Sequence, residues 1–127
     1  MKKSLIQKEE RIIKREWKNF VFDAVFAICA IIITSVFYNN LYLTTILLSA
    51  ITLVALWKWK SWTTIAIFII VALLAPLLEM VAIYFGAWQY SISNIVNVPI
   101  WLFILWGDAG ALIYQLTIEI NRMGVKK

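Results

Sequence analysis

Four long runs of apolar residues, separated by short polar segments, dominate the pattern of the chain. The runs cover about 20–38, 41–57, 63–85 and 98–120. Each run is close to the ~20 apolar residues that a helix needs to cross a bilayer core. Because backbone groups in lipid must satisfy one another, each run is expected to be helical. The pattern predicts an all-α integral membrane bundle of four transmembrane helices, forming one domain over 20–120.

The segment before the first run has a different pattern. Residues 1–19 are rich in charge, yet apolar residues recur among them at roughly helical spacing. This alternation is typical of an amphipathic helix lying on a membrane surface. The sequence therefore predicts an interfacial helix at 1–19 before the first span, and a basic tail at 121–127 after the last. The apolar positions are Leu5, Ile6, Ile12, Ile13 and Trp17.

Positive charges orient the predicted topology. Seven Lys and Arg precede the first span, two lie between the second and third, and three follow the fourth. The positive-inside rule then predicts a multi-pass protein of the cell membrane with both termini cytoplasmic. The net charge of +5 is explained by topology and by contact with lipid headgroups, so no nucleic-acid partner is expected. The residues predicted to meet headgroups are Lys14, Arg15, Lys18, Lys58 and Lys60.

Composition excludes several kinds of chemistry. The chain is 63% hydrophobic and has no histidine and a single cysteine, Cys29. A Cys/His zinc cluster, a histidine-ligated copper or iron site, a Ser-His-Asp triad and an internal disulfide all need residues that are missing. Neither a metal site nor a cofactor is predicted.

Small and polar residues share one face of each predicted span. Such faces let membrane helices approach closely and form hydrogen bonds between them. The sequence therefore predicts which faces meet inside the bundle. They are Asp23, Ala27, Ala30 and Thr34 in the first span; Thr45, Ser49 and Thr52 in the second; Ala72, Ala75, Glu79, Ala82 and Gly86 in the third; and Trp101, Asp108, Gln115 and Glu119 in the fourth.

Two intramembrane carboxyls, Glu79 and Asp108, are the first candidates for chemistry, because ionisable groups in lipid are costly. Their predicted depths differ by roughly 6 Å at 1.5 Å per residue, so the two carboxyls could meet and act as a proton donor or cation site. A purely structural role, with each carboxyl hydrogen-bonded to a neighbouring helix, is the commoner case. Asp23 and Glu119 lie near the cytoplasmic side and are expected to pair with nearby Lys or Arg, namely Lys58, Lys60 or Arg122.

The chain is rich in aromatic residues. Most of the seven tryptophans fall where an aromatic belt at the membrane surface is expected. Aromatic walls beside an acid can also stabilise a cation. The candidates for a ligand or packing site are Trp88, Tyr90, Trp101, Trp106 and Gln115.

The stretch Glu79–Trp106 carries one resemblance. It reads EMVAIYFGAWQY and later NVPIWLFILW, and it resembles membrane carotenoid hydratases and lycopene-cyclase-type proteins. An acid before an FG-x-aromatic-x-Y loop, then VP and a tryptophan-containing helix, are the shared features. The resemblance covers under a third of the chain. It implies acid-assisted chemistry on an isoprenoid double bond, with Glu79 as the acid.

The overall type of the chain carries a second resemblance. A short, Ile- and Lys-rich four-span chain with a basic cytoplasmic helix is similar to small subunits of archaeal membrane complexes of the ammonia monooxygenase type. This implies an accessory or structural subunit, without a metal site of its own and not catalytic alone, in a hetero-oligomer surrounded by lipid. The alternative is a membrane enzyme acting on an isoprenoid, carotenoid or other lipid with Glu79 and Asp108 as acid and base. A small ion or proton transporter is a third possibility.

Overall fold

In the computed structural model, which describes residues 2–124, the chain forms four α-helices and no strands. These are α1 (Lys2–Phe37), α2 (Leu41–Trp59), α3 (Trp62–Tyr84) and α4 (Trp101–Arg122). All four are long and apolar enough to span a membrane. The prediction of an all-α, multi-pass membrane protein is therefore confirmed. The last residues of the predicted tail at 121–127 lie outside the described part.

Short polar turns join the first three helices. Asn40 caps α2, where its side-chain oxygen accepts the N–H of Leu43 at 3.0 Å. Ser61 caps α3 and accepts the N–H of Thr64 at 3.2 Å. Lys60 ends α2 in a left-handed conformation, with φ 49°. These caps satisfy backbone groups that a helix terminus leaves free. The turns bring successive helices back across the bundle in opposite directions.

α1 is much longer than a membrane requires. Its 36 residues extend roughly 54 Å at 1.5 Å per residue, against a hydrocarbon core of ~30 Å. The segment 2–19 is helical, as the pattern predicts, but it runs into the first span without a break. It is therefore the first half of one continuous helix. We call it the α1 extension and call the end of the bundle that carries it the basic end.

The long connection between α3 and α4 folds back onto the opposite end of the bundle. Ile95 and Val98 exchange two backbone hydrogen bonds of 3.0 Å around a tight turn. The side chain of Asn94 accepts the N–H of Ile100, the residue before α4, at 2.9 Å. α4 therefore begins at Trp101, three residues later than the sequence predicted. Val98 and the following proline are buried in the connection.

α4 is the central helix of the bundle. It packs against each of the other three helices, whereas α1 and α3 do not pack against each other within residues 2–124. α3 and α4 approach closely at Gly107, where the missing side chain leaves room for the ring of Phe68. A Cβ at this position would lie 2.5 Å from that ring. α3 also runs through Pro76 as one helix. The site is therefore built around α4.

The predicted faces are confirmed for α4 and changed for α2. Asp108, Gln115 and Glu119 are all buried, as expected for residues on one helix face. In α2, Thr52 is buried as predicted, whereas Thr45 and Ser49 are only half-buried and the residues before them are buried in their place. The residues buried there are Thr44, Leu48, Thr52 and Ala55.

Candidate functional site

Glu79 joins three parts of the molecule at the end opposite the basic end. The phenol of Tyr90 donates to its Oε1 at 2.6 Å, and the indole N–H of Trp106 donates to its Oε2. Tyr90 also packs edge-on against Trp101, with ring centroids 6.1 Å apart. The carboxyl thus links α3, the connection and α4. Both of its oxygens are occupied by donors within the protein.

The surroundings of Tyr90 keep its phenol neutral, so that it remains a hydrogen-bond donor. Burial raises the pKa of its phenol above the ordinary range, and the hydrogen bond to Glu79 and the charge of that carboxyl add to the effect. All three causes favour the neutral phenol, since ionisation would place two negative groups together. The Tyr90–Glu79 bond therefore persists across the physiological pH range.

Asp108 lies at a different place and has different partners. It is 3% exposed, and its Oδ1 forms a hydrogen bond of 2.6 Å with the hydroxyl of Thr52. Its Oδ2 is buried and has no hydrogen-bond partner. Glu79 and Asp108 therefore bind separate donors and do not pair with each other.

The Thr52 hydroxyl constrains the protonation of Asp108. It lies 2.6 Å from Asp108 Oδ1 and also 2.6 Å from the carbonyl oxygen of Leu48. A hydroxyl has one proton, so it can donate to only one of the two. Both bonds form together when Asp108 carries a proton on Oδ1 and donates it to Thr52. Oδ2 is then a carbonyl oxygen without a donor.

Beside Asp108 is an apolar groove between α1 and α4. Its volume is about 260 Å³, and Asp108 is the only ionisable residue among those that line it. Its rim reaches the surface of the bundle, because Ile31 is largely exposed. We call it the α1–α4 groove. The residues that line it are Phe26, Ala27, Ala30, Ile31, Leu105, Trp106, Asp108, Ala109 and Leu112.

Three more buried carboxyls meet near the basic end. Glu16 and Asp23 come from α1 and Glu119 from α4, and none is more than 1% exposed. The carboxyls of Glu119 and Asp23 are neighbours, and each has one buried oxygen without a hydrogen-bond partner. The indole of Trp59 donates to Asp23 at 3.2 Å, while Arg122 approaches Glu16 at 3.8 Å. We call Glu16, Asp23 and Glu119 the basic-end carboxyls.

This arrangement corrects the expected ion pairs. Asp23 accepts from the indole of Trp59 instead of pairing with a lysine. Arg122 pairs with Glu16, a residue that the sequence did not single out. The signal was present, because Glu16 and Asp23 are seven residues apart and so share a face of one helix.

The other candidate residues are dispersed. Gln115 donates to the hydroxyl of Thr64 at 2.6 Å and links α4 to α3. Trp101 is buried, and its indole nitrogen has no partner. Trp88 is 47% exposed, as a membrane-surface residue would be. The structure therefore brings Tyr90 and Trp106 together on Glu79, packs Trp101 against Tyr90, and leaves Trp88 and Gln115 apart.

The lysines and arginine predicted to meet headgroups are all exposed. Lys58 lies over the ring of Phe22, 4.7 Å from its centroid, and Lys60 lies 5.4 Å from the ring centroid of Trp57. Both border a polar cavity of about 460 Å³ at the basic end, which Glu119 and Arg122 also line. Lys14, Arg15 and Lys18 are on the α1 extension.

Within residues 2–124, no group of three or more His, Cys, Asp and Glu side chains is arranged to hold a metal ion. The chain matches no known protein family, no curated protein and no solved structure.

Proposed function

We propose that this multi-pass membrane protein is an accessory, non-catalytic subunit of a larger membrane complex. The observation that carries the proposal is the α1 extension. Leu5, Ile6, Ile13 and Trp17 are each about half exposed or more, and they fall on one side of the helix by their spacing. An apolar face of this kind is stable when a partner or a membrane surface covers it.

The position of this face favours a protein partner. The Trp59–Asp23 bond places the α2–α3 turn level with Asp23, and tryptophans and lysines at such a turn mark a membrane interface. The extension therefore begins where the hydrocarbon ends. Because it continues straight from the first span, it carries its apolar face away from the lipid and towards a neighbouring subunit.

The proposed orientation puts both termini in the cytoplasm. It is supported by the Lys and Arg, all of which lie before α1 enters the membrane, at the α2–α3 turn or after α4. The extension has seven basic and three acidic residues among 2–19. We therefore expect its partner to offer an apolar surface bordered by acidic groups, with lipid around the remaining bundle. Archaeal complexes of the ammonia monooxygenase type contain small subunits of similar character and are the first candidates.

Extraction in mild detergent and native mass spectrometry test the proposal. Wild-type protein should elute with a partner subunit, and Ile6→Glu should lose it by placing a charge on the apolar face. Ser4→Glu is the matched control, since it adds the same charge to the opposite side of the helix. A wild-type protein that is monomeric under the same conditions, or equal loss of partner in both variants, would contradict the proposal.

A second candidate function is a membrane enzyme acting on an isoprenoid, carotenoid or other lipid, and the α1–α4 groove favours it. The groove joins an apolar cleft to a single carboxyl, Asp108. Glu79, the other candidate acid, has a donor on each oxygen. Asp108→Asn and Glu79→Gln separate the two roles: if both variants fold and support wild-type function in cells, the acid mechanism fails.

A further inference from the structure

We propose that the α1–α4 groove binds a lipophilic amine, whose nitrogen pairs with the carboxyl of Asp108. This inference goes beyond the subunit role and does not depend on it. Asp108 is 3% exposed, its Oδ2 has no partner in the protein, and its side chain lines the groove. A buried polar atom without a partner costs free energy, which a ligand donor would recover.

The lining of the groove selects the chemistry of that ligand. Every other side chain in it is apolar or aromatic, so the body of the ligand must be apolar as well. Oδ2 is an acceptor, so the polar end must supply a donor. An anionic group is disfavoured because no cation lines the groove to balance it.

Two aromatic rings favour a cation at this position. Phe26 and Trp106 both line the groove, and aromatic faces attract ammonium groups. The indole N–H of Trp106 is already donated to Glu79. Trp106 therefore offers its ring to the groove and no further hydrogen bond. A carboxyl with two aromatic rings and no competing base is suited to an ammonium ion.

Binding involves the transfer of one proton. A neutral amine enters from the lipid layer, where its uncharged form is soluble. Its nitrogen lone pair takes the proton of Asp108, so that a carboxylate and an ammonium group form together. The ammonium then donates to Oδ2, while the Thr52 hydroxyl donates to Oδ1 across the existing 2.6 Å contact. Thr52 is the positioning residue, and Asp108 is the binding residue.

The size of the groove fits an amine with one alkyl chain. It extends from Leu105 to Leu112 along α4, about 10 Å at 1.5 Å per residue. Its volume of about 260 Å³ is close to the lower end of the range for small-molecule sites. The amino group and the first part of the chain fit inside, and the remainder leaves past the exposed Ile31.

Native mass spectrometry of the full chain in nonionic detergent, titrated with dodecylamine, tests the proposal. One amine should bind per chain, more tightly than dodecanol or dodecanoic acid. Asp108→Asn should weaken amine binding roughly tenfold or more, as expected when a charge-assisted hydrogen bond is lost. This variant reproduces the shape of the protonated acid but has no proton to give. Glu119→Gln, the same change further along α4, is the matched control and should bind as wild type.

A second variant guards against misfolding of the first. Ala27→Leu leaves the carboxyl intact and fills the groove, so it should also lose the amine. The proposal is overturned if wild type does not bind dodecylamine, if dodecanol binds as tightly, or if both Asp108→Asn and Ala27→Leu bind normally. Equal weakening in Glu119→Gln would overturn it too, because binding would then follow net charge and not the groove.

Discussion

The two sides of α4 are packed in different ways. Towards α3 the helices touch: Cβ atoms at Gly107 and Gly110 would lie 2.5 Å and 2.6 Å from side-chain atoms of that helix. Glu79, on the same side, has both oxygens bonded within the protein. Further along, an apolar groove opens on each side, of about 410 Å³ towards α3 and about 260 Å³ towards α1. Of these two grooves, the one towards α1 is lined by a carboxyl, Asp108, which keeps one oxygen free. The two acids therefore differ in how many of their carboxyl oxygens have hydrogen-bond partners within the protein.

This difference separates structural acids from acids that are available to a ligand. Burial alone does not, because the half-buried Glu79 has a donor on each oxygen, whereas the buried Asp108 has an oxygen without one. The number of donors within the protein does, since a carboxylate with a donor on each oxygen has little to gain from a ligand. By this criterion Glu79 is a structural acid, whose hydrogen bonds join α3 to the connection and to α4. Asp108, and with it the α1–α4 side of the bundle, is where binding can occur.

The largest expected effect comes from adding volume to the closely packed side. Gly107→Val places new carbon atoms against the ring of Phe68, and overpacking of this kind costs about 3 kcal/mol. Unfolding by SDS in mixed micelles should show the loss. Ala27→Val is the control: it adds two methyl groups facing the groove and should change the free energy of unfolding by less than about 1 kcal/mol. Similar losses in the two variants would contradict the contrast between the two sides.

Removing the satisfied acid should have the next largest effect. Glu79→Ala leaves the Tyr90 phenol and the Trp106 indole without their acceptor, at a cost of about 2 kcal/mol. Hydrogen exchange should also become faster in the connection 85–100, because Tyr90 no longer holds it to α3. Asp108→Asn should cost less than about 1 kcal/mol, since its amide can still donate to Thr52. If Asp108→Asn costs as much as Glu79→Ala, donor count does not distinguish the two acids.

Much of the fold is predictable from the sequence because membrane spans depend on length and composition. All four spans, the polar turns at Asn40 and Ser61, and the polar face of α4 follow from the apolar pattern alone. The start of α4 does not. It depends on the fold of the connection, in which the side chain of Asn94 accepts the N–H of Ile100 from six residues away. A contact of this kind depends on the path of the connection and leaves no periodic signal.

The site was only partly predictable for a similar reason. Glu79 and Asp108 are conspicuous as acids in apolar runs, but their partners lie on other helices. The pairing of Asp108 with Thr52 spans 56 residues and depends on how α2 rotates against α4. Thr52 and Asp108 both lie on the faces that small and polar residues suggested, but the pattern does not pair one with the other. Thr45 and Ser49, on the same suggested face of α2, are only half-buried, and the preceding residues, about 100° away around the helix, are buried in their place.

A smaller effect of opposite sign is expected at the basic-end carboxyls. Glu119 faces Asp23, and both have a buried oxygen without a donor. In Glu119→Gln the new amide can donate to Asp23 without a bound proton. We expect a gain of about 1 kcal/mol in the free energy of unfolding. Glu79→Gln should instead lose stability, because an amide has one acceptor oxygen for two donors. The two substitutions are chemically identical, so equal signs would contradict the comparison.

The smallest expected effect is on alkaline stability and isolates the Tyr90–Glu79 bond. The pKa of Tyr90 is raised in the folded protein, whereas an unfolded tyrosine titrates near 10. The bond therefore stabilises the fold fully below about pH 10, and its contribution falls as the pH rises towards the folded value. Above pH 10 the loss should stay below about 1 kcal/mol per pH unit, because Tyr90 is only half-buried and its charges are partly screened.

The difference in unfolding free energy between wild type and Tyr90→Phe measures the contribution of the Tyr90–Glu79 bond, because the other four tyrosines are present in both proteins. Wild type should be the more stable protein at pH 8, and its advantage should shrink between pH 10 and 11 in SDS unfolding. If the advantage is instead constant with pH, the phenol is not held by the carboxyl. Glu79 would then have a free oxygen, as Asp108 has, and the two sides of α4 would offer a ligand the same chemistry.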